Sequence, residues 1–542
     1  MQNIKETQFE SGRRRPRLPF QLQGTTLALW GMAAFVVAAV LLPLVYLVIR
    51  AFGAGSDAWQ GLFRFQTLQT VVSTVWLSLA VTIASTIIAV PLAWLTVRTD
   101  LPLRRLWAVL TPLPLVIPSY VGAYLFISAL GPRGLLQQFL ENLFGIKRLP
   151  EIYGFPGAML VLTLLSYPYI LLGVRAALLK MDPSLEEASR SLGHNTWTTF
   201  WRVTIPLLRP ALGAGCLLVA LYVLRDFGAV AIMRYNTFTR VIYTSYISFD
   251  RSQAALLALV LVTITLTFLA LEMRTISKAR YFQSGTGATR PPSLVRLGPW
   301  RWPALLFCGM VVFVSLVLPA GLLVYWLLRG LMAGEIIPTL GLATWNSMLA
   351  SSLGAIAIVF AAIPVAILVV RHPGQLTRLL DRLTYSTFAL PGIVIALALV
   401  FFGANHAPQL YQTLPMLLLA YGILFLPEAV GAVRAALLQI HPSFEEAARS
   451  LGRRPVQVFF SITFPLLRSG LAAGASLVFL TIMKELPATL ILAPIGFKTL
   501  ATGVWSAVSE AFFAQAAAPA LLIVLMSSLP MTFFILNEQR VD

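Results

Sequence analysis

The sequence predicts an all-α polytopic membrane protein with about twelve transmembrane helices, arranged as two parallel six-helix repeats. Three observations predict it. Of the 542 residues, 58% are apolar and only 11% charged, whereas a soluble domain carries about 25% charged residues. The apolar residues fall into about twelve runs, each near the ~20 residues a helix needs to cross the hydrocarbon. Whole strings of sequence also recur at a fixed offset, the mark of internal repetition. Lipid forces backbone polar groups to pair within the spanning element, so the runs read as helices and not as barrel strands. A soluble protein with buried helices explains one or two such runs, not twelve.

The runs lie near 27–50, 71–97, 106–130, 156–179, 207–233, 254–273, 303–328, 346–370, 383–403, 412–433, 466–493 and 516–536. The first is preceded by a basic stretch, as in a signal peptide. It is too long for one and no small-residue cleavage site follows, so it is read as a retained span. Cys216 and Cys308 sit in separate apolar runs. Neither a disulfide nor a metal site is expected of them.

The net charge is +19. Lys and Arg gather on alternate loops: Arg13, Arg14, Arg15 and Arg17, then Arg98, Arg104 and Arg105, then Arg274, Lys278, Arg280, Arg290, Arg296 and Arg301. This is the positive-inside bias, which sets both termini in the cytoplasm. It accounts for the charge without nucleic acid. The basic start can also touch anionic membrane lipid.

The repeat is explicit. Arg175-Ala176-Ala177-Leu178-Leu179 recurs as Arg434-Ala435-Ala436-Leu437-Leu438, and Pro206-Leu207-Leu208-Arg209 as Pro465-Leu466-Leu467-Arg468, both offset by 259. Upstream the offset is 273: Pro91 matches Pro364, Arg98 matches Arg371 and Pro118 matches Pro391. One half has gained about 14 residues, expected in the outer loop around 131–154. The period holds six spans, an even number, so matching loops face the same side and the halves are parallel repeats. The chain thus divides into a cytoplasmic basic tail (1–25), a first half (26–273), a flexible cytoplasmic linker (274–302), a second half (303–537) and a short tail (538–542).

Each half carries one polar loop of the same design, at 180–206 and 439–465. Ser184 with Glu187, and Ser443 with Glu446, have capping-box spacing. Acidic residues suit the positive end of a helix. Short helices are therefore expected over 184–192 and 443–451. Gly193 and Gly452 stand where a left-handed terminating residue belongs. A second short helix is expected to lead to Pro206 or Pro465, where the next span begins.

The string Glu187-Ala188-Ser189, three residues, Gly193, then Val203-Thr204-Ile205-Pro206 resembles the EAA loop of ABC importer permeases. Its twin, Glu446-Ala447-Ala448, three residues, Gly452, then Ile462-Thr463-Phe464-Pro465, is closer to the family pattern. Ser189 replaces Ala in the first copy, and a bulky residue precedes each Pro. The resemblance runs from about 65 to 535 and implies a type I ABC importer permease. It implies that each loop, with Glu186, Glu187, Ala188 and Gly193 or Glu445, Glu446, Ala447 and Gly452, couples to one of two cytoplasmic ATPase subunits. The chain itself has no G-x-x-x-x-G-K-[ST] phosphate loop. It is read as a transport subunit and not an enzyme. ATP and Mg would be bound by the separate ATPase subunits, and no cofactor by this chain.

Ionisable residues inside a span are functional candidates. Arg225-Asp226 and Lys484-Glu485 occupy the same repeat position, and each pair is followed by a helix-weakening residue, Gly228 or Pro487. Counted from Pro206 at ~1.5 Å per residue, the pairs are expected near the outer mouth of a path. Glu428 is a third candidate; its repeat counterpart is Tyr169. Arg225-Asp226-Phe227-Gly228-Ala229-Val230, Lys484-Glu485-Leu486-Pro487-Ala488-Thr489-Leu490 and Gly496-Phe497-Lys498-Thr499-Leu500-Ala501-Thr502 are similar to strings of fused ferric-iron ABC permeases. Lys498 departs from the Asp common there. The resemblance implies an inner-membrane permease that passes ferric iron from a periplasmic binding protein by alternating access. Ferric ion prefers oxygen ligands, so Asp226 and Glu485 are candidates for transient metal contact. The alternatives are the same permease for thiamine, phosphonate or another small solute, an ion-coupled secondary transporter, and a membrane scaffold.

Overall fold

A computed structural model describes residues 24–132, 134–146, 150–182, 184–276, 294–335 and 340–538. The tail over 1–23, most of the expected linker and the last four residues lie outside this set, as does Pro183. The described chain is helical, and two residues, Thr99 and Val295, form an isolated parallel bridge.

Among the described residues, nine helices are long and apolar enough to cross a membrane. The other three expected spans differ. The third run is a bent pair, Arg104–Val116 and Ser119–Phe144, turning by 96°. The ninth is cut to Gly392–His406, and the twelfth is the apolar start of Phe513–Glu538. The breaks in the third and ninth have one cause. Pro118 and Pro391 lack an N–H and push the preceding residue out of the helical region. Ile117 and Leu390 accordingly have ψ of 120° and 123°. The extra residues of the first half hold the helix Leu135–Phe144, none of whose residues is buried.

The spans continue without a break where a second short loop helix was expected. Thr196–Arg225 and Pro455–Lys484 each run for 30 residues. A π turn, at Phe200–Thr204 and at Phe459–Thr463, precedes Pro206 and Pro465. Each proline removes one ladder donor and its ring crowds the preceding turn. Widening that turn fits the ring into a continuous helix, so no new helix starts there.

In each half, three helices make the centre: Phe65–Arg98, Phe155–Lys180 and Thr196–Arg225, then Leu340–Arg371, Leu414–Gln439 and Pro455–Lys484. Without a hydrophobic drive in lipid, small residues let such helices approach. A Cβ on Gly215 would stand 2.9 Å from the Ile170 backbone, and one on Gly474 would stand 3.1 Å from Ala432.

The peripheral helices are exchanged between the halves. Ala33, Val37 and Leu47 of the first helix join the core around Leu340–Arg371 and Leu414–Gln439, together with Ala254 and Leu261. Conversely, Cys308, Leu323, Ala516 and Ile523 close the core of the first half. Tyr46 donates to the Phe401 carbonyl at 3.1 Å, and Arg50 lies over the Phe401 ring. The linker, expected to be flexible throughout, has a fixed end. Val295 donates to the Arg98 carbonyl, Asp100 donates back to Val295, and the next helix starts at Gly298.

Candidate functional site

The twin loops are built alike. Helices Ser184–Ser191 and Ser443–Ser450 each end in a full Schellman motif. Gly193 donates to Arg190 and His194 to Ser189; Gly452 donates to Arg449 and Arg453 to Ala448. The two glycines have φ of +86° and +82°, a conformation that only glycine adopts without penalty. The predicted capping boxes do not form. Ser184 and Ser443 are the first residues of their helices, and in the second loop Pro442 stands at the helix start. The residue before the proline caps instead. Ser184 donates its amide to Asp182 at 2.9 Å, which holds that carboxyl below its usual range, and Ser443 donates to His441.

The paired glutamates split their tasks. Glu186 is buried and accepts from Thr204 Oγ1 at 2.8 Å; Glu445 accepts from Thr463 Oγ1 at 3.1 Å. Each bond ties the loop helix to the foot of the next span. Arg98 and Arg371 brace the same corner by donating to the carbonyls of Met181 and Ile440. Arg371 also pairs with Glu445 at 3.1 Å. In sequence, Arg98 reads as a topology charge and Arg371 as its repeat partner at offset 273, and neither as a brace of the loop. Glu187, Glu446, Ala188 and Ala447 are exposed. Beside them Leu185, Leu192, Phe444 and Leu451 present apolar side chains outward, Leu192 and Leu451 at 79% and 84% exposure.

The second constellation is a cavity of about 250 Å³ between the halves. Arg225, Asp226, Lys484, Glu485 and Glu428 all line it, so the structure brings together every inner charge singled out from sequence. The cations cross between halves. Arg225 Nη1 donates to the Phe388 carbonyl at 3.0 Å, and Lys484 Nζ donates to the Leu115 carbonyl at 3.3 Å. Leu115 and Phe388 are themselves repeat partners, just before the breaks at Pro118 and Pro391.

The acids serve the broken helix. Asp226 Oδ2 accepts from the amides of Ala229 and Val230, and Glu485 Oε1 accepts from Ala488 at 3.1 Å. They cap the short helices Gly228–Ile232 and Pro487–Leu492. A Cβ on Gly392 would stand 2.7 Å from Glu485 Oε1, so glycine makes room for that carboxylate. Among the described residues, no group of three or more His, Cys, Asp or Glu could hold a metal ion.

The cavity differs in its two walls. Tyr169 and Tyr222 pack ring to ring at 5.5 Å. Their repeat partners are Glu428 and Thr481, and Thr481 Oγ1 donates to Glu428 Oε2 at 3.0 Å. Sequence reading missed Tyr222 and Thr481; the shared offset of 259 could have found them. Tyr169 and Glu428 lie near the middle of 26-residue helices. The cavity therefore reaches to mid-helix depth, deeper than the outer mouth where the charged pairs were expected.

Residues 85–283 and 354–542 each match the family described as binding-protein-dependent transport system inner membrane component. The chain is 37% identical over 496 residues to the Fe(3+)-transport system permease protein FbpB 2 of Haemophilus influenzae, covering 90% of this chain and 94% of the relative. It is 26% identical over 497 residues to the ferric transport system permease protein FbpB of Actinobacillus pleuropneumoniae, covering 88% and 72%. A shorter stretch of 159 residues, 29% of this chain and 68% of the relative, is 35% identical to the molybdenum transport system permease protein ModB of Escherichia coli.

Proposed function

The chain belongs to the family of binding-protein-dependent transport system inner membrane components, and we propose that it passes ferric iron delivered by a periplasmic binding protein. The observation that carries the substrate is its likeness, over nine-tenths of its length, to a permease named for Fe(3+) transport. Both family matches lie within one chain, so it supplies both halves of the path. Its place is the bacterial inner membrane, with both termini cytoplasmic by the positive-inside bias.

Two copies of a cytoplasmic ATPase dock on the twin loops. The exposed Glu187 and Glu446, with the outward apolar residues of each loop helix, make the contact. Glu186, which is buried, and Glu445, which is half-buried, then pass movement of that helix to the next span. ATP and Mg belong to those subunits, and hydrolysis occurs there. Closure of the ATPase pair pulls the loop helices together and spreads the halves at the other end. Ferric ion enters the cavity between the halves, where the oxygens of Glu428, Asp226 and Glu485 make passing contacts. Hydrolysis returns the path inward.

Reconstituted chain, with ATPase and binding protein, should accumulate ferric iron only when ATP is hydrolysed. Failure to move iron in a complex that hydrolyses ATP would overturn the substrate. A second reading, an oxyanion such as phosphonate, draws on Arg225 and Lys484 at the cavity wall and on the molybdenum relative. Competition by phosphonate or molybdate in the same assay separates the two.

A further inference from the structure

A second, larger cavity lies away from the path, at the loop end of the first half. Its volume is about 1020 Å³, at the top of the ~300–1,000 Å³ common for ligand sites. Three walls line it, and it is open on its outer side, where Ile87, Trp197, Trp201 and Trp300 are exposed. One is the end of Phe65–Arg98, with Ile87 and Trp94. The second is the π turn and its flanks in Thr196–Arg225, with Trp197, Phe200 and Trp201. The third is the start of Gly298–Met332, with Trp300, Ala304 and Phe307. The fixed end of the linker crosses the rim, where Arg296 lines the opening. Phe200 packs against Trp94, Trp197 and Trp201 with ring centroids 5.6–6.1 Å apart.

Three features point to one occupant. The lining is mostly apolar and comes largely from spanning helices, which favours an apolar occupant over a polar solute. Tryptophan gathers at its loop end, and tryptophan favours the headgroup level of a membrane. Arg296 is exposed at that end, and among the described residues neither ion pair includes it. An apolar groove with an exposed cation at its loop end, in no ion pair among the described residues although the Asp100 carboxylate accepts from the next amide, complements an anionic lipid. The second half does not repeat the design: Trp94, Trp197 and Trp201 are replaced at the matching positions by Ile367, Val456 and Phe460.

We propose that this cavity binds one glycerophospholipid with an anionic headgroup, its acyl chain among the aromatic side chains and its headgroup at Arg296. The site touches the π turn that follows the first loop helix. Val295 beside it is bonded to the backbone of Arg98, the residue that braces that loop. The lipid therefore buttresses one loop of the pair and not the other. The proposal does not depend on which solute is transported.

Native mass spectrometry of the full chain tests it, after delipidation and titration with phosphatidylglycerol or phosphatidylcholine. One phosphatidylglycerol should be retained in preference to phosphatidylcholine. Arg296→Ala should lower that retention about fivefold, the worth of one basic residue at an anionic surface. Ala304→Trp, which places an indole across part of the chamber, should lower it sharply. Leu212→Trp intrudes on it from another wall, and a folded state of either variant, checked by thermal melting, keeps the test decisive. Four results would overturn the proposal: no retained lipid, equal retention of both headgroups, detergent in the chamber as an adventitious additive only, or a co-purifying helix of another protein.

Discussion

Arg225 of the first half donates to the carbonyl of Phe388 in the second, and its guanidinium lies 5.3 Å over the Phe388 ring. The repeat supplies the reciprocal bond, from Lys484 to Leu115. Each half therefore holds the other at the turn before its broken helix. Hydrogen bonds to a charged group contribute about 1.5–3 kcal/mol each. The two together are large enough to set the balance between closed and open paths.

Removing both clasps should free the halves. Arg225→Ala with Lys484→Ala is expected to raise ATP hydrolysis in the absence of binding protein by at least roughly tenfold, since the two bonds together exceed the ~1.4 kcal/mol that a factor of ten needs. Arg225→Lys should give a smaller rise, because lysine keeps charge but loses the planar stacking. Basal hydrolysis unchanged in the double variant would remove the clasps from the gating mechanism.

The loop glycines are a conformational requirement and not a packing one. At Gly193 and Gly452 an added Cβ meets nothing within 4 Å, so the cost lies in the left-handed backbone, about 1–2 kcal/mol per residue. Gly193→Val and Gly452→Val should release the ATPase during purification. Asn, which tolerates this conformation better, should retain it at either position. Equal retention by the Val variants would show that the loop ends do not matter for docking.

The two braces should differ in strength. Arg371 pairs with Glu445, whereas Arg98 is buried and donates to Met181. Arg371→Met leaves Glu445 with Thr463 and should destabilise the chain by about 1–3 kcal/mol, below the ~3–5 of a fully buried pair. Thermal unfolding in detergent reads the change. Glu445→Gln should cost less, since an amide still accepts from Thr463. A larger loss in Glu445→Gln than in Arg371→Met would contradict this account of the corner.

The carboxylates of the cavity can be tested apart from their structural task. Asp226→Asn and Glu485→Gln keep an oxygen that caps the following helix. The double variant should fold and hydrolyse ATP, yet take up ferric iron at least roughly tenfold more slowly, the loss of about 1.4 kcal/mol of contact to the ion. Glu428→Gln should act in the same direction while keeping the Thr481 bond. Uptake at the normal rate in both variants would leave Asp226 and Glu485 as helix caps alone and Glu428 as the acceptor of the Thr481 bond alone.

Much of this site was legible in the chain. The offset of 259 paired the loops, the glycines and the inner charges before any coordinate was known. It also held the pairing of Tyr169 with Glu428. The capping boxes do not form for a local reason: each serine is already the first helical residue, after Pro442 in the second loop, and Asp182 or His441 accepts from its amide instead. The π turns were invisible because Pro206 and Pro465 read equally well as helix starts.

Sequence alone determined the membrane class, the two-half repeat and the two loops, since each rests on composition or on residues close in the chain. Tertiary structure decided which half each peripheral helix covers, and that Arg225 and Lys484 reach across to the opposite half. The physical reason is that apolar faces in lipid carry no preference among partners. Only the shape of the packed helices, set by small residues such as Gly215 and Gly474 and by the breaks at Pro118 and Pro391, selects one.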